Sequence, residues 1–376
     1  MKVFQTSYAD GKWYDINSGN QNPDIVFCFG NKEVIIQDDI VQQVMSKYPD
    51  SIVVTASTAG EIHNSSIQDN TVVITGIEFK KGSHVVANNV NIEHFNDSYD
   101  AGVALAEQSN IDGLKLLFII SDGQLVNGGD LVNGLHSVIK QRVPVSGGLA
   151  GDGTNFRSTL VGLNNDLRNG NIIALGFYGD NLQVGVGSKG GWDKFGPMRT
   201  ITKSEKNVLY EVDGENALDL YIKYLGEYSK QLPASALLFP IAILEEDDKE
   251  VVRTILSVDM ENKSMTFAGN LPVGSKVRLM KANLDNLAAA SADAAVLTGF
   301  THNYEDDALA LLISCVGRKL IFGNRIEEEL DAARDIVGND ATITGFYSYG
   351  EIAPFSTFMK CELHNQTMTI TTLSEI

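Results

Sequence analysis

The sequence predicts a mixed α/β protein of two fused, pseudo-repeated domains, with mixed β-sheets flanked by helices. Three observations predict this: the chain has 376 residues, short β-rich runs alternate with helical patterns, and the second half repeats the order of the first. A chain of this length suits two domains of about 150 to 200 residues each. Its 43% hydrophobic and 20% charged residues are typical of a globular protein with sizeable cores.

The first half alternates predicted strands with predicted helices. Runs rich in β-branched and aromatic residues predict strands at Asp24–Cys28, Ser51–Thr55, Thr71–Phe79, His84–Ile92, Lys115–Ile120 and Asn171–Tyr178. Apolar residues at spacings of three and four, with acids near the start that suit the helix dipole, predict helices at Asp39–Ser46, Asp100–Gln108 and Asp130–Gln141.

A polar stretch, Lys189–Asn207, contains several glycines and a proline and is the predicted passage between the domains. The boundary is placed near residue 205, which gives domains 1–205 and 206–376. After it we expect a helix at Glu215–Leu225, followed by strands at Ala236–Ile243, Val251–Asp259, Ser264–Ala268 and Lys276–Lys281.

The order of elements in the second half echoes the first. Helix Leu284–Val296, strand Leu309–Ser314, helix Ile326–Val337 and strand Ala341–Gly345 correspond to residues 100–108, 115–121, 130–141 and 143–147. We take this as the trace of an ancient duplication.

Three loops place small residues, a glycine and an acid after a predicted strand, at residues 57–62, 147–152 and 345–351. Ligands of layered α/β proteins tend to bind at strand carboxyl ends, where backbone amides can hold an anion and carboxylates an amine. The predicted ligand-binding residues of these loops are Ser57, Thr58, Gly60, Glu61, Gly147, Gly148, Asp152, Ser348, Tyr349, Gly350 and Glu351. The alternative is that the glycines serve tight turns and the acids bind backbone amides.

Cys315 and Arg318 also follow a predicted strand, where a cation could meet an anionic ligand. The alternative is a buried thiol beside an arginine that pairs with a nearby acid.

Enzyme motifs fail their context tests. Gly185–Gly190 has the spacing GxGxxG, but no helix pattern follows it, and GxSxG and HExxH are absent from the sequence. No catalytic residue is therefore assigned, and an enzyme that uses the loop carboxylates is the least favoured interpretation. The six histidines show no metal-ligand spacing.

Composition narrows the partners and the compartment. A net charge of −19 disfavours nucleic acid and anionic membranes as partners. Three cysteines without CxxC spacing fit a reducing interior. No signal-peptide pattern and no apolar stretch of about 18 residues occur, so a cytoplasmic protein without membrane insertion is expected.

Six motifs in order across the chain resemble the FIST family of bacterial sensory proteins, with an N-terminal and a C-terminal FIST domain. They are Ser57–Ile62, Ser121–Gly123, Val143–Asp152, Ile313–Arg318, Gly345–Pro354 and Cys361–Ile370. The resemblance implies an intracellular sensor of small ligands, for which amino-acid-like ligands were proposed. With no output segment of its own in this sequence, the chain is expected to signal in trans, through a histidine kinase, a cyclic-dinucleotide enzyme or a chemotaxis receptor.

The resemblance also implies an alternative, because members of the NosP type look like haem-based nitric oxide sensors. A single histidine in an apolar pocket can ligate haem iron. His364, with Asn365 beside it in a family motif, is the first candidate for the axial ligand of haem b, and His302 is the reserve.

Overall fold

The computed structural model describes residues 1–15, 21–80, 82–140, 143–244, 250–300, 307–354 and 360–376. Its α-helices are α1 Lys32–Gln37, α2 Ile40–Lys47, α3 Ser98–Glu107, α4 Gly128–Ile139, α5 Ala217–Leu225, α6 Leu284–Leu297, α7 Val316–Phe322 and α8 Glu327–Val337.

The strands of the first half are β1 Lys2–Ala9, β2 Lys12–Asp15, β3 Ile25–Gly30, β4 Ile52–Ser57, β5 Glu61–His63, β6 Ser66–Gln68, β7 Val72–Glu78, β8 His84–Asn91, β9 Leu114–Ser121, β10 Val145–Leu149, β11 Val161–Leu163, β12 Asp166–Arg168, β13 Asn171–Tyr178 and β14 Leu182–Lys189. They are followed by β15 Asp193–Glu205, β16 Val208–Val212, β17 Glu215–Asn216, β18 Ile241–Leu244, β19 Glu250–Arg253, β20 Ile255–Asp259, β21 Ser264–Phe267, β22 Lys276–Lys281, β23 Ala308–Cys315, β24 Ala341–Ser348, β25 Gly350–Pro354, β26 Cys361–His364 and β27 Met368–Glu375. The predicted mixed α/β class, with mixed sheets flanked by helices, is confirmed.

Three sheets share one plan. Each has a central pair of parallel strands joined through helices: β3 with β4, β9 with β10, and β23 with β24. The strand that returns from each pair runs antiparallel beside its first strand, as β7, β13 and β27. The central strands are apolar on both faces, as in the fully buried Ile25–Gly30, because they are covered on both sides.

The three sheets exchange strands in a cycle. The hairpin that follows each parallel pair adds to another sheet: β5–β6 joins β24, β11–β12 joins β4, and β25–β26 joins β10. The strands after the first two return strands cross again, since β8 pairs with β13 and β14 with β27. At the start of the chain, β1 fills the remaining place beside β7.

The repeat is therefore threefold. The predicted correspondence holds, because β23, α8 and β24 take the places of β9, α4 and β10. A third copy, β3–α1–α2–β4, was not recognised as a repeat, although its two strands and α2 were predicted. Its crossover is divided between two short helices of 6 and 8 residues, unlike the single longer helices α4 and α8 at this place in the other units.

One core lies where the three sheets meet, and the helices cover the outer faces. Phe27 packs against Phe118 with ring centroids 6.1 Å apart, and Phe29 packs against Phe346 at 4.8 Å, so side chains of all three units share this core. On the outside, α1 and α2 cover the first sheet, α3 and α4 the second, and α6 and α8 the third.

The part of the chain between β14 and α6 forms a fourth sheet, which has its own hydrophobic core under α5. Lys189–Asn207, expected to be a polar passage, is mostly the 13-residue strand β15. It looks like a loop in sequence because Gly196 and Pro197 lie in a bulge, where the register with β22 shifts between Phe195 and Arg199. The boundary near residue 205 falls at the end of β15 and stays a prediction.

Two expected strands of the fourth sheet are shorter than predicted. Residues 234–238 form a 3-10 turn before β18, and the predicted strand Val251–Asp259 is divided between β19 and β20. None of the helices in the described part of the chain has the length and apolar character needed to cross a bilayer.

Gly345 offers a test of how closely the parallel strands approach. Its φ is +152°, and an added Cβ would lie 1.8 Å from the carbonyl oxygen of Leu312. We expect Gly345→Ala to lower the free energy of unfolding by roughly 2 to 4 kcal/mol, measured by urea denaturation. The control is Gly129→Ala in the first turn of α4, where the nearest atom would be 3.4 Å away; equal losses in the two variants would contradict this account.

Candidate ligand site

The three predicted loops meet and bond to one another in a closed ring. The Gly151 amide donates to the Ser57 carbonyl oxygen at 2.9 Å, the Tyr349 amide to Leu149 at 3.2 Å, and the Ala59 amide to Tyr347 at 2.8 Å. We call residues 57–61, 147–152 and 347–351 the loop ring. Within this cycle each loop donates one of the three hydrogen bonds and accepts another, and the Tyr347 amide also donates to the Gly60 carbonyl oxygen at 2.8 Å. These bonds couple the carboxyl ends of the three parallel pairs.

Small residues make this close approach possible. The Ser57 hydroxyl donates to the Gly151 carbonyl oxygen at 2.7 Å and accepts the Leu160 amide at 2.8 Å. An added Cβ on Gly151 would lie 2.8 Å from the Ala59 nitrogen. An added Cβ on Gly147, whose φ is +139°, would lie 1.9 Å from the Ile119 carbonyl oxygen in β9. One on Gly148 would lie 2.6 Å from the Ile313 side chain. These residues shape the ring through their backbones.

Glu61 and Glu351 occupy equivalent positions in two of the loops. Glu61 accepts hydrogen bonds from the Thr58 hydroxyl and, at 2.7 Å, from the Thr71 hydroxyl. Glu351 accepts the Ser348 hydroxyl at 2.7 Å and the Thr367 hydroxyl at 3.0 Å. The backbone amide of Thr71 also donates to Glu61, and that of Thr367 to Glu351.

Burial dominates the ionisation of both acids. Glu61 is 1% and Glu351 0% exposed. Burial raises the pKa of each carboxyl to about 7, although the threonine and serine hydrogen bonds act to lower it. Because their oxygens are occupied by neighbours within the protein, these carboxylates hold the loops in place, as the alternative interpretation of the acids described.

The second unit uses a different acid for this role. Asp122, directly after β9, accepts the Thr159 hydroxyl at 2.8 Å and the Gly170 amide at 3.1 Å. Gly170 precedes the return strand β13, as Thr71 precedes β7. The sequence analysis placed Asp122 within the family motif Ser121–Gly123 but not among the candidate site residues, although an acid placed directly after a buried strand was an available signal.

Asp152 instead lies at the rim of the ring, next to a lysine. Its carboxylate is 3.8 Å from the Lys32 ammonium and accepts the Ser158 amide at 3.3 Å. Lys32 also donates to the Ser158 carbonyl oxygen at 3.1 Å. Only 19% of the Lys32 side chain is exposed, so this cation is held partly away from water.

A second lysine lies at the rim beside the first loop. Lys319 in α7 donates to the Ala59 carbonyl oxygen at 2.9 Å and to the Asp69 carboxylate, and its ammonium lies 5.5 Å from the centre of the Tyr347 ring. It covers Gly60 and is 17% exposed. Lys32 and Lys319 were both missed by sequence reasoning, although each follows the first parallel strand of its unit within four residues.

Tyr349 closes the side of the ring formed by the second loop. Its hydroxyl donates to the Gly153 carbonyl oxygen at 3.2 Å and accepts the Phe156 amide at 3.1 Å, while the two aromatic rings stack 4.6 Å apart. Burial raises the pKa of Tyr349 to about 12, so the hydroxyl stays neutral. An added Cβ on Gly350 beside it would lie 3.0 Å from side-chain carbons of Leu149 and Leu363.

Arg318 and Cys315 lie inside the protein. The Arg318 Nε donates to Glu329 at 2.6 Å, and its other nitrogens donate to the carbonyl oxygens of Gly190 and Leu287, each at 2.8 Å. Its side chain is 0% exposed. Cys315 is buried, which raises the pKa of its thiol. This geometry matches the alternative of a buried thiol beside an arginine paired with an acid.

His364 does not present a free nitrogen to a pocket. Its Nε2 is 3.0 Å from the Ala353 carbonyl oxygen, and burial lowers the pKa of the imidazole to about 4. Asn365 donates to the His364 carbonyl oxygen at 3.0 Å. His364 lines neither of the two described cavities, so these surroundings do not fit a haem. His302 lies outside the described residues.

No group of three or more histidine, cysteine, aspartate or glutamate side chains in the described ranges could hold a metal ion. The rim of the loop ring brings together two ammonium groups, Lys32 and Lys319, and two carboxylates, Asp152 and Asp69, a set suited to binding a small charged molecule.

Comparison with known proteins bears on the whole chain. A family model described as the FIST N domain matches residues 24–215, and one described as the FIST C domain matches residues 217–354. No curated protein matches the sequence. Among solved structures, the crystal structure of cyanuric acid hydrolase from A. caulinodans is 8% identical, with 78% of this chain and 99% of that chain covered at a TM-score of 0.20. That score is too low to carry an argument.

The raised pKa of Glu61 and Glu351 predicts an unusual dependence of stability on pH. The folded protein holds protons that the unfolded chain releases, so stability falls as pH rises from about 4.5 to about 7, by up to about 3 kcal/mol per carboxyl. We expect the double variant Glu61→Gln with Glu351→Gln to lose melting temperature less steeply than the wild type between pH 5 and pH 8.

The comparison isolates these two groups. His364 acts in the opposite direction, because its lowered pKa adds stability as pH rises from about 4 to 6.5, but it is present in both proteins. Glu227→Gln, at a side chain that is 88% exposed, is the control. Parallel curves of melting temperature against pH for the wild type and the double variant would refute the assignment.

Proposed function

The chain belongs to the FIST family, and from this membership and the charges of the loop ring we propose that it is an intracellular sensor that binds a small zwitterionic metabolite such as an amino acid and signals in trans. FIST domains are associated with small-ligand sensing in signal transduction. The observation that carries the proposal is the pair of partly buried lysine–aspartate contacts at the rim of the loop ring.

The rim has the charge pattern that an amino acid requires. Lys32 lies 3.8 Å from Asp152, and Lys319 contacts Asp69, so each position holds one cation and one anion. The carboxylate of an amino acid can pair with a lysine, and its ammonium group can pair with the neighbouring aspartate. Binding thus replaces one ion pair within the protein by two ion pairs with the ligand. Because both lysines are already more than four-fifths buried, binding them requires little further desolvation.

Hydrogen bonds of the loop ring connect the proposed site to all three sheets. The ring's three hydrogen bonds join all three sheets, so a displacement of one loop is transmitted to the other two. Tyr347 in the third loop also donates to Glu329, which binds Arg318, and Arg318 reaches Gly190 before the fourth sheet. A ligand that favours one arrangement of the loops would change the position of surfaces far from the rim.

The proposed receivers are a histidine kinase, a cyclic-dinucleotide enzyme or a chemotaxis receptor. The net charge of −19 supports a protein partner over nucleic acid. We assign the loop carboxylates no catalytic role, because Glu61 and Glu351 are bonded to neighbouring threonine and serine side chains. The haem alternative stays a prediction of the family resemblance and forms no part of the proposal.

Ligand binding is tested by calorimetric titration with each of the twenty amino acids. We expect at least one to bind, and Lys32→Met or Lys319→Met to weaken that binding at least about tenfold, because each removes a charge-assisted hydrogen bond. The N-acetyl form of the same amino acid, which lacks the ammonium group, should bind more weakly to the wild type.

The matched control is Lys115→Met. Lys115 lies at the start of β9, at the opposite end of the sheet from the loop ring, and is 37% exposed. Binding by no amino acid, or equal affinity in the Lys32→Met, Lys319→Met and Lys115→Met variants, would overturn the proposed site.

A further inference from the structure

The loop at residues 152–158, which we call the rim loop, carries an exposed aromatic side chain beside one lysine–aspartate pair of the proposed site. Phe156 is 44% exposed, whereas Asp152 at the start of the same loop is 3% exposed. Aromatic side chains usually contribute to stability by being buried. A phenylalanine that stays half exposed at the rim of a charged site is therefore a candidate contact for a ligand.

The rim loop folds back onto the aspartate that the proposed site uses. The Asn155 amide donates to the Asp152 carbonyl oxygen at 2.9 Å, and the Ser158 amide donates to the Asp152 carboxylate at 3.3 Å. Lys32 donates to the Ser158 carbonyl oxygen at 3.1 Å, at the other end of the loop. Phe156 lies between these contacts, so the loop holds it near both charges of the pair.

Two contacts with Tyr349 fix the orientation of Phe156. The Tyr349 hydroxyl accepts the Phe156 amide at 3.1 Å, and the two ring planes are inclined by only 18°. Burial raises the pKa of Tyr349 to about 12, and the charge of the Asp152 carboxylate acts in the same direction, so the stacked pair lies near that carboxylate. Because Tyr349 covers one face of the Phe156 ring, the exposed surface of this side chain lies on its other face and edge.

The turn itself does not explain a phenylalanine at this position. The φ of Phe156 is +52°, in the left-handed region that bulky side chains rarely adopt. Glycine would adopt this backbone conformation at a lower cost. Residues held in such conformations concentrate at functional sites, where the surrounding structure keeps a side chain in a required place. A ring that is already fixed also loses little freedom when a ligand packs on it.

We propose that the amino acid bound at the Lys32–Asp152 pair has an aromatic side chain, which stacks on the exposed face of Phe156. This inference rests on the proposed function, because it identifies the class of amino acid that the same site takes. The ligand's carboxylate and ammonium groups pair with Lys32 and Asp152, and its side chain extends from the same carbon atom along the rim loop. Phe156 is then the middle ring of a stack of three, in which Tyr349 is the inner ring.

The charges near the rim loop favour an aromatic side chain over a cationic one. A lysine or arginine ligand would also be attracted to an aromatic face. However, Lys32 and the exposed Arg157 already bring two positive charges to the rim loop. A neutral ring can stack on Phe156 without repulsion from either of them.

The test is calorimetric titration of the full chain with L-phenylalanine, L-cyclohexylalanine, L-alanine and L-lysine. We expect L-phenylalanine to bind at least about tenfold more tightly than L-alanine and L-lysine, because only its side chain can stack on Phe156. L-Cyclohexylalanine has a side chain of similar size that is not aromatic, and we expect it to bind about threefold or more weakly than L-phenylalanine. Equal affinity for these two ligands, or tighter binding of L-lysine, would overturn the aromatic class.

The variant Phe156→Ala tests the contact itself. We expect it to reduce the affinity for L-phenylalanine to that for L-alanine, and to leave the affinity for L-alanine unchanged. Tyr99→Ala is the matched control, because Tyr99 on α3 is 42% exposed and lies outside the loop ring; both affinities should stay at their wild-type values. Thermal unfolding establishes that each variant is folded. Wild-type affinity for L-phenylalanine in folded Phe156→Ala would contradict the inference.

The variant Lys32→Met separates this inference from the proposed function. We expect it to weaken the binding of L-phenylalanine and L-alanine by the same factor, because it removes the charge that pairs with the carboxylate group common to both. If it does so but the wild type shows no preference for L-phenylalanine, the proposed site stands and the aromatic class is wrong. If no amino acid binds the wild type, both proposals are wrong.

Discussion

The three hydrogen bonds of the loop ring are the constraint on which the rest of the architecture depends. Each parallel pair delivers a loop to the same buried point, and buried amides and carbonyls there must be paired. Ser57, Leu149 and Tyr347 accept, and Gly151, Tyr349 and Ala59 donate, so no loop can be satisfied without the other two. The exchange of hairpins between sheets follows the same cycle, because the hairpin after each loop joins the sheet of another unit.

Buried carboxyl groups hold the loop ring together, although burial disfavours their charged form. Glu61 and Glu351 each accept hydrogen bonds from the hydroxyl and the amide of the residue just before the return strand. In the second unit, Asp122 accepts the amide of Gly170, which holds the corresponding place. Donors favour the charged form of a carboxyl group and burial favours the neutral form. In both glutamates burial has the larger effect and raises the pKa to about 7. The stability of the loop ring therefore depends on the protonation of these two carboxyl groups.

Much of the framework could be predicted from sequence because hydrophobic periodicity is a local property. Strand Asn171–Tyr178 was predicted with its observed bounds, and the glycine–acid loops were recognised as special. The threefold exchange could not be predicted, because the pairing of β5 with β24 joins residues that are far apart in the chain. The lysines of the rim were missed for the same reason. Lys319 and Ala59 are 260 residues apart in the sequence and meet only in the folded protein.

Arg318 illustrates how one sequence pattern can serve either recognition or structure. A cation after a strand end suggested an anionic ligand, but folding supplies Glu329 and two carbonyl oxygens before any ligand arrives. The resulting cluster connects α6, α7 and α8 with Gly190, from which the chain enters the fourth sheet. Because the fold pairs all three nitrogens of the Arg318 guanidinium, this side chain stabilises the structure and has no donor left for a ligand.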